Sequence, residues 1–163
     1  MDSVFFEKQR LAATSMKWLY IVTTIISSTV MFYVLLEEGD KTELFITLGI
    51  FFPVMIGTYV LVFQMPALTR VTQRGIEYKY KPWIWNWKVL AWNDIEKVEI
   101  VNIDPLGDYG GWGYRFTWKG DRGIVLGSSK ALKFTKKSGK HLALTTERKE
   151  EFKKAVERFM EVN

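Results

Sequence analysis

The sequence predicts an α+β protein: a two-helix transmembrane hairpin, then an antiparallel β-sandwich or barrel of about seven strands, capped by a C-terminal α-helix. Three observations predict it. Nineteen residues from Trp18 to Leu36 carry no charge, and twenty-six from Leu44 to Thr69 carry none, where a membrane-spanning helix needs about 20. After Gln64-Met65-Pro66 the apolar blocks give way to short alternating segments separated by turn signals. The last of these segments is followed by a single amphipathic stretch of helical period.

The first 17 residues read as an amphipathic leader. In "SVFFEKQRLAATSMKW", Val4, Glu7, Lys8 and Leu11 fall at helical spacing, which predicts a helix in the membrane interface or one continuing into the first span. Residues 18–65 form the hairpin, with spans at about 18–36 and 44–65. Glu37 to Glu43 connects them with four acids and one lysine. Lys8, Arg10 and Lys17 precede the first span, and Arg70, Arg74, Lys79 and Lys81 follow the second. Lys and Arg beside span ends favour the cytoplasmic side, so both termini are expected in the cytoplasm of a multi-pass inner-membrane protein. Thr23, Thr24, Ser27 and Ser28 in the first span, and Gly49 and Gly57 in the second, form small-residue stripes. Such stripes are expected to join the two helices or to meet another protomer.

Residues 66–163 form the remaining domain. Strands are predicted at Gly75 to Lys81, Trp87 to Trp92, Glu96 to Ile103, Gly113 to Trp118, Gly123 to Leu126, Ala131 to Thr135 and His141 to Thr145. The closing helix begins at the candidate cap Thr146, carries Glu147, Glu150 and Glu151 in its first turns, and repeats Phe152, Val156, Phe159 and Met160 on one face.

Seven strands and one C-terminal helix follow the order of a pleckstrin-homology (PH) domain, and three stretches resemble a bacterial PH-like membrane family. Phe5-Phe6-Glu7-Lys8-Gln9-Arg10 is similar to its "F-x-E-x-Q-R" stretch before two spans. Trp92-Asn93-Asp94-Ile95 resembles its strand-ending "W-x-x-I". Tyr109-Gly110-Gly111-Trp112-Gly113-Tyr114-Arg115 matches its "Y-G-G-W-G-x-R". The resemblance covers nearly the whole chain. The chain departs from the pattern in the charged turn after Arg115 and in Lys149, where a proline often opens the final helix. The resemblance implies a membrane-anchored PH-like module; soluble relatives with this fold can form rings. The motif residues Tyr109, Gly110, Gly111, Trp112, Gly113 and Arg115 are expected to shape the sheet or bind a ligand.

Catalytic constellations are scarce. There is no cysteine, and His141 is the only histidine, which removes Cys/His metal sites and Cys-His nucleophilic pairs. No G-x-S-x-G elbow accompanies Ser138 and Asp121. Asp104 and Asp108 lie in a Pro-Gly loop where acids more often make turns than bind cations. Gly110, Gly111 and Gly113 lead into a strand rather than a helix, so they do not form a phosphate loop. No enzyme activity, cofactor or metal is expected, and no nucleic-acid partner.

Binding is the remaining class. Residues 66–163 hold nineteen Lys and Arg against twelve acids, a net +7, and "KYKPWIWNWKVLAWND" packs four tryptophans and three lysines into sixteen residues. Trp92 and Trp87 are expected to face the sheet core. Trp83 and Trp85 sit in the connection between two strands close after the second span, where indoles can reach lipid headgroups. Lys79, Lys81, Trp83, Trp85, Lys88 and Arg115 are the candidate lipid-contact residues. The function expected is a non-catalytic module that docks on the anionic inner leaflet and mediates self-assembly or binding to a membrane-protein partner. The alternative is a structural or regulatory subunit of a membrane complex without lipid recognition, with a membrane enzyme ranked below both.

Overall fold

The computed structural model describes residues 4–11, 14–38 and 41–160. The chain divides into two compact units, Met1–Ala12 with Met65–Asn163, and Ala13–Gln64.

The smaller unit is a helical hairpin. Helix α1 spans Thr14–Glu38 and α2 spans Lys41–Tyr59, continuing into one π-helical turn at Val60–Gln64. Both are long and apolar enough to cross a membrane. Helix therefore occupies most of the expected acidic connection, because nothing in Glu37-Glu38 or Lys41-Thr42-Glu43 stops it. Tyr20 joins the two helices: its hydroxyl donates to the Met55 carbonyl at 2.6 Å, and its ring packs edge-on against Phe63 at 5.8 Å. Of the small residues, Thr24 and Ser28 are half-buried on the Tyr20 face, with Thr24 beside Phe52 and Met55, whereas Gly49 and Gly57 lie outside that seam. A Cβ added at Gly49 or Gly57 would meet nothing within 4 Å. Thr23 and Thr24 donate to their own helix at the Leu19 and Tyr20 carbonyls, 2.8 and 2.7 Å away. Local bonds of this kind satisfy hydroxyls where no water is present.

The larger unit has two sheets and one long helix, with nine strands rather than seven. Strands β1 (Phe5–Gln9), β2 (Ala67–Thr72), β3 (Gly75–Tyr80) and β4 (Ile84–Ala91) form an antiparallel sheet in that order. A turn of 3-10 helix at Trp92–Asp94 carries the chain into the second sheet. That sheet contains β5 (Ile95–Asn102), β6 (Gly113–Phe116), β7 (Arg122–Val125), β8 (Lys130–Lys136) and β9 (His141–Thr145) in the order β5-β8-β9-β7-β6. It is mixed, since β7 and β9 run parallel. The short helix α3 (Pro105–Tyr109) precedes β6, and α4 (Lys149–Met160) closes the fold.

Phe5–Gln9 of the leader is therefore a strand, and the helical hairpin lies between β1 and β2 in sequence. Helical spacing misled because the relevant period is two: Phe5, Glu7 and Gln9 are buried while Phe6 and Lys8 are exposed. All three inward residues attach the strand to the far end of the chain. Phe5 stacks on Phe152 of α4 with ring centres 4.8 Å apart. Glu7 accepts from the Thr146 hydroxyl at 2.6 Å and from the Glu147 N–H at 3.0 Å. Gln9 donates its side-chain amide to the Thr145 carbonyl at 2.8 Å. Thr146 in turn accepts from the Arg148 N–H at 3.1 Å, so the polar start of α4 is fully engaged.

The inner faces of both sheets and α4 share one core, with Val71, Ile76, Phe134, Leu132, Leu142, Phe152 and Val156 essentially inaccessible. Trp92 is buried at the corner between the sheets, where its ring stacks on Phe159 and its N–H donates to the Thr72 carbonyl at 3.1 Å. The opposite face of the second sheet has a smaller core of Ile103, Val125, Ala131 and Ala143, covered by Val101, Tyr109 and Trp112. This is what the glycine-aromatic motif builds. Gly110 ends α3 at φ 66°, a left-handed position that favours glycine. Tyr109 lies flat on β7, where a Cβ at Gly123 would strike its ring at 2.6 Å. Asp104 caps α3 by accepting from the Leu106 N–H at 3.1 Å, and Asp108 accepts from the Asp104 N–H at 2.8 Å. The two acids are thus turn-makers.

Candidate functional site

Register in the first sheet decides which residues share an end. Gln9 pairs with Ala67, Ala67 with Tyr80, and Tyr80 with Ile84. These four residues form one row, at the end where β1 leads into α1 and where the chain returns from α2 into β2. The β3–β4 turn, Lys81-Pro82-Trp83, projects from that same end. Its indole is 67% exposed, and Trp85 on the adjoining strand is 64% exposed, high values for a large apolar ring. The Lys81 ammonium lies 5.2 Å from the centre of the Trp85 ring, within cation–π range.

The row behind this end is Lys8, Leu68 and Lys79. Because Gln9 and Tyr80 point inward, Lys8 and Lys79 point to the outer face of the sheet. Behind them is the row Phe6, Arg70, Glu77 and Val89. Glu77 is almost wholly buried on this outer face. Its Oε2 accepts from Arg70 Nε at 2.8 Å and Nη2 at 2.5 Å, and its Oε1 accepts from the Thr72 hydroxyl at 3.0 Å. The Arg70 guanidinium lies 4.1 Å over the Trp87 ring, which leaves Trp87 half-buried. One neutralised, covered ion pair thus fixes the middle of the face, while Lys8, Lys79 and Lys81 and the two exposed indoles occupy its end.

The structure places the six candidate residues in three locations. Lys79, Lys81, Trp83 and Trp85 come together at the sheet end. Arg115, on β6, is opposite Gly123 and so lies on the face of the second sheet that Tyr109 covers; burial raises the Tyr80 phenol pKa, and the Arg115 charge opposes the rise. Its guanidinium also occupies the space beside Gly111, where a Cβ would come within 2.9 Å. Lys88 is opposite Tyr78 on the inner-face row and lies apart from the tryptophans. Phe6 and Lys8 belong to the outer face but were absent from the sequence candidates; the alternation of Phe5, Glu7 and Gln9 is the signal that would have found them. Of the motif residues, Tyr109 and Trp112 face the second core, and Gly110, Gly111 and Gly113 adopt positive φ.

Among the described residues no group of three His, Cys, Asp or Glu side chains is placed to hold a metal ion. His141 is an ordinary strand residue: its N–H donates to Asp121 at 2.8 Å, and its ring is 3.2 Å from the Thr135 hydroxyl. Comparison of the chain with family models, curated proteins and solved structures returns no significant match.

Proposed function

We propose that the protein is a non-catalytic, membrane-anchored PH-like module whose four-stranded sheet docks by one end on the anionic inner leaflet. The observation that carries the reading is the row Gln9, Ala67, Tyr80 and Ile84. It puts the turn bearing Trp83 and Trp85 at the end of the sheet that is covalently continuous with both spans. The hairpin supplies attachment, and the sheet end supplies orientation. Each lysine held near an anionic surface contributes about 1 kcal/mol, decaying within a Debye length. Lys8, Lys79 and Lys81 therefore favour one pose without having to provide the affinity. The indoles suit the headgroup layer because they join a large apolar surface to one N–H donor. A docked module of this kind leaves the rest of the domain turned toward the cytoplasm, where it can hold a second copy or a membrane-protein partner.

The test uses the full-length protein reconstituted in vesicles of phosphatidylglycerol and phosphatidylcholine. Tryptophan emission should shift to the blue relative to pure phosphatidylcholine, and added salt should reverse the shift. The triple variant Lys8→Gln, Lys79→Gln, Lys81→Gln should lose that lipid and salt dependence. Emission identical in both lipids would contradict the reading.

A further inference from the structure

A second cationic feature lies on the inner faces of the sheets. Lys88 is opposite Tyr78 in the first sheet. In the second, Arg122 pairs with Leu142, which pairs with the buried Phe134, and Lys136 lies two residues beyond Phe134 on the same face. Lys140 closes the β8–β9 turn, its carbonyl accepting from the Lys136 N–H at 2.9 Å. Lys136 is partly buried, and its ammonium pKa is lowered by that burial and by the charges of Arg122, Lys140 and Lys88. Asp94 is the one acid acting against them.

Three cations are thus gathered around one half-buried ammonium, Lys136. Among the described residues none of the four forms an ion pair with a carboxylate. Elsewhere in the domain the exposed cations Lys97, Arg148 and Lys153 do find acids. Grouping like charges in a partly desolvated place is unfavourable unless an anion joins them. Two phenols share the same place. Tyr78 has its pKa raised by burial and by Tyr114, against the pull of Arg122. The Tyr114 hydroxyl is buried and has no hydrogen-bond partner. A buried hydroxyl left unpaired is costly, and here it is a donor beside positive charge that no carboxylate pairs directly, Arg122 being held only by Tyr78 and the Phe116 ring.

We infer that this cationic cluster binds a phosphate-class anion, held by Lys88, Arg122 and Lys136, with the Tyr114 hydroxyl donating to a remaining oxygen. The chemistry suits a dianionic phosphomonoester or inorganic phosphate, whose oxygens accept several bonds at once. The ligand is either a free phosphate compound or a phosphomonoester lipid headgroup. This site is separate from the Trp83 and Trp85 end and does not depend on that end's contact with lipid.

The test is competitive acylation of lysines in the full chain, read by peptide mass spectrometry, in nanodiscs. One arm uses neutral phosphatidylcholine with inorganic phosphate titrated at constant ionic strength against chloride. The other replaces part of the lipid with phosphatidate and omits phosphate. Lys136 and Lys88 should be protected saturably in at least one arm, and Lys153, which pairs with Glu157, in neither. Protection by phosphate alone identifies a soluble ligand, and protection by phosphatidate alone identifies a headgroup. Arg122→Met should weaken protection about tenfold, the worth of a charge-assisted hydrogen bond. Tyr114→Phe, which removes only the unpaired hydroxyl, should weaken it less while leaving thermal stability at or above that of the parent. No protection in either arm, or protection unchanged in both variants, would overturn the proposal.

Discussion

Glu7 and Thr146, 139 residues apart in the chain, are joined by a 2.6 Å hydrogen bond buried between β1 and the start of α4. The bond locates the first strand at the helix that ends the fold, and the whole helical hairpin lies between them in sequence. Replacing Glu7 by Ala leaves the Thr146 hydroxyl and the Glu147 N–H without their acceptor. Thermal unfolding in detergent should show a loss of about 1–3 kcal/mol, the cost of unsatisfied buried groups.

Arg70 and Glu77 form a pair in which only the arginine retains exposure, 29% against 4% for the glutamate side chain. Arg70→Ala strands a buried carboxylate. The cost should fall below the about 3–5 kcal/mol of a fully buried pair, because solvent reaches one partner. The double variant Arg70→Ala, Glu77→Gln should recover part of the loss. A double-mutant cycle measured by denaturant unfolding checks both statements.

Gly123 is occupied from above by the Tyr109 ring, 2.6 Å from where a Cβ would stand. Gly123→Ala should therefore lift Tyr109 from the second core, at about 1–3 kcal/mol for overpacking. Tyr109→Ala in the same chain should relieve the clash, so the two changes together should cost less than their sum.

Burial raises the phenol pKa of Tyr78, Tyr80 and Tyr109. A folded-state value above the unfolded one stabilises the fold fully below the unfolded pKa, which is about 10. That stabilisation is lost as pH rises through the folded values, because the unfolded chain releases its protons first. Unfolding monitored in alkali should show stability falling across that window. Tyrosinate absorbance should develop late for these three rings, and Tyr80→Phe should remove one late-titrating phenol.

All seven strands predicted after residue 75 are present, because their alternation and their Gly, Asn-Asp and Lys-Ser-Gly turns are local signals. Strands β1 and β2 were not legible for a physical reason. Ala67 to Thr69 extend an uncharged run, so β2 looks like the end of a span, and β1 gains its meaning from β2 across the hairpin and from partners some 140 residues away. The parallel pairing of β7 with β9 is likewise a long-range choice. In the candidate site, Trp92 and Trp83 were separable from the sequence, since Trp92 precedes a turn and is buried whereas Trp83 follows Pro82 at a hairpin tip and is exposed; Trp87, expected in the core, instead lies half-buried on the outer face under Arg70. What spacing could not show was the register that aligns Gln9, Ala67, Tyr80 and Ile84, that Lys88 shares the inner face with Tyr78, or that Arg115 shares the Gly123 face of the second sheet.

The docking of the sheet end is tested most directly by quenching tryptophan emission with lipids brominated at known acyl depths. The full-length protein and its Trp83→Phe, Trp85→Phe variant are compared in anionic vesicles, so that the difference isolates the two indoles. The account expects the difference signal to be quenched most strongly by bromines nearest the headgroups. A difference signal untouched by brominated lipid at any depth, with the variant as well folded as the parent, would contradict it.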